Sequence, residues 1–132
     1  MVTMQFGDII QLETTFRAGV IFKFSGDDDA DIFLGSSVMA EALCRMLGAI
    51  QEYWSAAGNP RKAEGWRDLY VVSNAKRDNY KRHVDLISSF APSHPKWATM
   101  TRREQLDWLQ VIAAPYRLDE AGVSLFERIL KP

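Results

Sequence analysis

This chain of 132 residues contains one cysteine, two histidines and no glycine-rich phosphate loop, and each shortage removes a class of chemistry. With Cys44 alone, no internal disulfide can form and a cysteine-based metal cluster is excluded. His83 and His94 are too few for a zinc site without cysteines, and no HExxH spacing accompanies them. The eight glycines are scattered, none within GxGxxG or a GKS or GKT loop, so nucleotide-driven chemistry has no support. A GxSxG nucleophile motif is also missing, and the residues call for no metal and no cofactor. No apolar run approaches the roughly 18 residues of a membrane span. The N-terminus MVTMQFGDII lacks the basic start and cleavage site of a signal peptide, so the expectation is a cytoplasmic protein without a membrane association.

What remains is an ordinary globular composition, 47% hydrophobic and 25% charged, which predicts one folded domain over residues 1–132. The charge is unevenly spread. Residues 1–60 hold three Lys or Arg against eight Asp or Glu, residues 61–103 hold ten against four, and residues 104–132 hold three against five. Such asymmetry bears on partners and association rates rather than on fold.

The patterning predicts an α+β fold. Val2, Met4 and Phe6, then Ile10, Leu12, Thr14 and Phe16, alternate with polar residues at period two, which is the signature of strands. Phe6, Ile9, Leu12 and Phe16 also fit a helical stripe, and Thr14-Thr15 favour strand. Ala18-Gly19 reads as a hairpin turn, Val20 to Phe24 as the return strand, and Ile32-Phe33-Leu34 as a further short strand, together an antiparallel meander of three or four strands. A long central helix covers it, from Val38 to Ala57, capped by Ser36 or Ser37 and stopped by Gly58-Asn59-Pro60. Its stripe of Met39, Leu43, Met46, Leu47, Ile50, Trp54 and Ala57 places Leu47 and Ile50 in the core, and Cys44 reads as a small buried apolar residue beside them. Residues 59–68 read as a loop or a broken helical turn serving as a hinge, and Leu69 to Ser73 as a short strand. About three C-terminal helices follow: one after Ser73 or Asn74 with Tyr80, Val84, Ile87 and Ala91 inward, one opened by the Thr101–Glu104 capping box, and a last one capped by Asp119.

Three surfaces stand out. Asp27, Asp28, Asp29 and Asp31 imitate the first half of a calcium loop, but Ile32 stands where its Gly belongs and Val38 where its Glu belongs, so a solvated acidic turn or a contact for a basic partner fits better than a metal site. Lys76, Arg77, Lys81 and Arg82 interleave with aromatic and acidic residues, as a contact for nucleic acid or an acidic partner would, and equally as a solvated helix face would. Trp66 and Trp97 are aromatic anchors near loops. The expectation for function is a non-enzymatic module of the inhibitor, immunity or adaptor kind that binds another protein. The alternatives are a nucleic-acid-binding protein using the basic 61–103 segment, and a small enzyme pairing His83 or His94 with a carboxylate. Oligomeric state is not encoded in any of these features.

Overall fold

The computed structural model describes residues 5–74 and 80–132, and among these it is 74% helical with seven α-helices and no strand. The α+β expectation, with its β-meander, is therefore overturned in favour of an all-α fold. The helices are α1 (Ile9–Lys23), α2 (Asp31–Leu34), α3 (Ser37–Ala56), α4 (Pro60–Leu69), α5 (Tyr80–Phe90), α6 (Arg102–Ala113) and α7 (Glu120–Val123), with short 3-10 turns between several of them. Val2 and Met4 of the first expected strand, and Lys76 and Arg77, lie outside the described residues.

The expected hairpin over residues 9–24 is a single helix. Asp8 caps α1 by accepting from the Gln11 N–H at 2.8 Å. Leu12, Phe16, Val20 and Lys23, spaced by four, four and three, make its buried face. Apolar residues also stand on the opposite side, at Ile10, Ala18, Ile21 and Phe22, all exposed. Apolar residues on both sides of the helix, mixed on the exposed side with Gln11, Thr14, Thr15 and Arg17, leave no single stripe, and the alternation with polar residues then imitates a strand. Gly19 is no turn: a Cβ there would lie 3.1 Å from Leu43 Cδ2, so glycine lets α1 cross α3 closely. The run Ile32-Phe33-Leu34 forms most of α2, not a strand.

The long helix α3 matches its expected course to within a residue at each end. Ser36 caps it by accepting from the Met39 N–H at 3.1 Å, and Leu43, Leu47 and Ile50 are buried. Its end is a Schellman arrangement: the Asn59 N–H donates to the Trp54 carbonyl at 2.8 Å and Gly58 takes φ +80°. Asn59 then caps α4 through the Lys62 N–H at 3.2 Å, with Pro60 in the first helical turn. The expected loop or broken turn over 59–68 is thus a helix, packed on α3. The expected strand Leu69–Ser73 is the end of α4 followed by one isolated bridge, Val71 to Arg117, and a 3-10 turn over Val72–Asn74.

Cys44 is exposed, not buried. It stands one residue, hence about 100° around the helix, from the Leu43 line that faces α1. The capping box of α6 forms as expected, Thr101 accepting from the Glu104 N–H while Glu104 accepts from the Thr101 N–H. Asp119 caps α7, and Phe126 and Leu130 close one continuous apolar core with Phe16, Leu34, Leu43, Ile50, Ile87, Leu109 and Ile112.

Candidate functional site

Groups suited to chemistry are mostly engaged in holding the fold. Lys23 is 1% exposed, and its ammonium donates to the backbone carbonyls of Val111 at 3.0 Å and Ala114 at 2.5 Å, the last turn and cap of α6. A cation belongs there, because the carbonyl end of a helix carries partial negative charge. Burial nonetheless pulls the Lys23 pKa from 10.5 down to about 8, with Cys44 acting in the opposite direction. The Cys44 thiol is pushed up by desolvation, an effect that Lys23 partly offsets, which is the reverse of what a reactive thiol needs.

His83 sits between rings, 4.9 Å from Phe24 and 5.6 Å from Tyr116 by centroids, and burial followed by the charge of Arg82 lowers its pKa. His94 lies edge-on to Trp108 at 4.9 Å, and its Nδ1 accepts from the Lys96 N–H at 3.0 Å. Among the described residues neither histidine shares a hydrogen bond with a carboxylate. Ser73 does meet a carboxylate, donating to Asp119, but the same carboxylate caps α7 through the Gly122 N–H at 3.0 Å. Burial would raise the Asp119 pKa; the hydrogen bonds from Ser73 and Gly122 outweigh it and hold the carboxyl below its ordinary range. No group of three or more His, Cys, Asp or Glu among the described residues is placed to hold a metal ion.

The surface presents a different feature where α1 ends and α2 begins. Ala18, Ile21 and Phe22 stand at i, i+3 and i+4, so they share one face over the last turns of α1. All three are exposed, Ile21 at 72% and Phe22 at 42%. The Phe22 ring meets Phe33 of α2 with centroids 5.6 Å apart, and the neighbouring Ile32 is 73% exposed. The chain then turns tightly, Ser36 N–H donating to the Phe33 carbonyl at 3.2 Å, and Val38 in the first turn of α3 is also exposed. The 3-10 and α2 segment Asp28–Leu34 meets α3 at 76°.

The link between these apolar faces carries the aspartates. Asp27, Asp28 and Asp29 are exposed and Asp31 is half-buried at the start of α2. None of the four forms an ion pair among the described residues. One cation is nevertheless beside them: Arg82 Nη2 of α5 donates to the Ser25 carbonyl at 2.6 Å, and a Cβ on Gly26 would stand 3.8 Å from it. The acidic loop and part of the basic segment, distant in sequence, are neighbours.

The remaining residues singled out from sequence are dispersed. Lys81 is exposed on α5 near Arg82. Trp66 is 5% exposed in the core, edge-on to Phe16 at 6.2 Å and under the Arg17 guanidinium at 4.7 Å. Trp97 is half-buried in a 3-10 turn, its carbonyl accepting from Gln105 Nε2 at 3.2 Å. Sequence reasoning missed Ile21, Phe22 and Ile32 as surface residues, because it places them within strands of the expected meander. The signal that identifies Ile21 and Phe22 is the excess of apolar residues in α1 over what one buried stripe needs; Ile32, in the four-residue α2, has no comparable signal. No single helix among the described residues is long and apolar enough to cross a membrane. No protein-family model, curated protein or solved structure matches the chain, and nothing found supports an inhibitor or immunity role.

Proposed function

We propose that this chain is a non-enzymatic protein-binding module that offers the α1–α2 corner to another protein. The observation that carries the reading is the exposure of Ile21, Phe22 and Ile32 beside four carboxylates that have no ion-pair partner among the described residues. Large apolar side chains gathered within a polar rim are costly to leave in water and are the usual anatomy of a contact surface. The enzyme reading lacks a comparable constellation, because His83 is packed between rings and the Asp119 carboxylate serves a helix cap. The nucleic-acid reading is weakened by the position of Arg82 beside the acidic loop and by the pairing of Arg67 with Asp68 at 3.2 Å.

The test is affinity purification from the native host with wild type, an Ile21→Asp/Ile32→Asp variant and an Arg103→Glu control on α6. Support is a protein recovered by wild type and control and lost with the double variant while its thermal transition stays within a few degrees of wild type. Equal recovery by all three would sink the reading.

A further inference from the structure

We infer that the partner presents a basic amphipathic helix to this corner, an inference that rests on the protein-binding reading above. Charge complementarity sets the sign. Asp27, Asp28 and Asp29 lie exposed on the connection between Phe22 of α1 and Ile32 of α2, and half-buried Asp31 opens α2, so a segment that covers Ile21, Phe22 and Ile32 together has these carboxylates as its chain neighbours. Lysine or arginine at the edge of that segment gains; glutamate, a phosphate backbone or an anionic lipid surface is repelled. A cation already lies at the edge of this loop: the Arg82 guanidinium, reaching from α5, donates to the backbone carbonyl of Ser25, two residues before Asp27.

The form of the partner follows from what the corner lacks. Its backbone is helical, with amide and carbonyl groups turned inward along α1 and α2, so it has no strand edge for an extended peptide to join. Recognition must then run through side chains. Ala18, Ile21 and Phe22 form a ridge at i, i+3 and i+4, the small Ala18 leaving room beside the two large residues. Such a ridge accepts the complementary rows of another helix, whose apolar residues recur at the same spacings.

Fluorescence anisotropy with two synthetic peptides tests this. Both are leucine-striped amphipathic helices; one carries Lys along the rim of its stripe and its twin carries Glu. The Lys peptide is expected to bind wild type at least about tenfold more tightly than the Glu peptide at low salt. In an Asp27→Asn/Asp28→Asn/Asp29→Asn variant that preference falls to about twofold or less, and Ile21→Asp/Ile32→Asp weakens the Lys peptide by about tenfold or more. Equal affinity for the two peptides, binding of neither, or a preference unchanged in the Asn variant overturns the basic-helix inference. In those cases host-partner capture that still depends on Ile21 and Ile32 leaves the protein-binding reading standing. Sedimentation with phosphatidylserine vesicles, or self-association that buries Ile21, would likewise replace the basic helix as occupant.

Discussion

The Lys23 ammonium lies 2.5 Å from the carbonyl oxygen of Ala114, across 91 residues of chain, and joins the end of α1 to the end of α6. Its pKa of about 8 in the folded state stands below the ordinary 10.5, so between those values the unfolded chain binds more protons than the folded one. Stability therefore rises with pH across that window, by an amount on the order of 3 kcal/mol for a shift of this size. Lys23→Met removes both the titration and the two donated hydrogen bonds. Urea melts should find the variant more destabilised relative to wild type at pH 10 than at pH 7.5; a difference independent of pH would refute the assignment.

His83 acts at the acid end. Its neutral form is favoured between Phe24 and Tyr116, so the unfolded chain takes up a proton first as pH falls through the ordinary value of 6.5. Stability contributed above that pH is lost below it. A His83→Phe variant keeps a ring in place and should lose less stability than wild type between pH 7 and pH 5. Parallel losses in the two proteins would show that His83 is not the group responsible.

Two glycines should respond in opposite directions to alanine. At Gly35 a Cβ would stand 2.7 Å from Trp108 Cη2 and 3.1 Å from Phe90 Cε1, both on rings that cannot fold away. Gly35→Ala is expected to cost about 1–3 kcal/mol through overpacking. Gly48, in the middle of α3, has nothing within 4 Å of the same position, and alanine there should add about 0.5–1 kcal/mol by lowering the entropy lost on helix formation. Thermal denaturation of the two single variants separates them, and a destabilised Gly48→Ala would contradict the open space.

The parts of the fold visible in the sequence were those fixed by local capping chemistry and a single apolar stripe. Ser36, the Thr101–Glu104 box and Asp119 sit where side-chain oxygens meet free helical N–H groups, a relationship contained within four residues. Helix α4 was hidden because Gly58-Asn59-Pro60 both stops α3 and starts α4, so a pattern read as a terminator was also an initiator. Helix α1 was hidden because its exposed side mixes apolar residues with Gln11, Thr14, Thr15 and Arg17, which blurs the stripe of Leu12, Phe16 and Val20, and Val71-Val72, with a strand's composition, found only one bridge. The candidate surface was half visible for the same reason. Its aspartates stand out in the sequence as a polar surface loop, while Ile21, Phe22 and Ile32 fall within the expected short strands and carry no surface signal there.

Burial on α3 supplies a direct contrast between neighbours in sequence. Ile50 is completely buried and Leu47 nearly so, and truncating either to alanine should cost about 2–5 kcal/mol, the larger loss falling at Ile50. Cys44→Ala changes an exposed position and should stay within about 0.5 kcal/mol of wild type. Chemical denaturation orders the three, and a Cys44→Ala loss as large as that of Leu47→Ala would mean that the α3 face carrying Cys44 is covered.

Arg82 links stability to the candidate interface. Its single hydrogen bond to Ser25 is exposed, so Arg82→Ala should leave the thermal transition close to wild type. Removing a cation from the edge of the acidic loop makes that corner more negative, and a basic probe should respond. The Lys-rimmed peptide is expected to bind the variant about twofold to threefold more tightly than wild type at 50 mM salt, with the gain gone at 500 mM as screening shortens the reach of the charge. Weaker binding to Arg82→Ala would instead mean that Arg82 shapes the loop its partner recognises, and that the guanidinium is a support for the site and not a competitor within it.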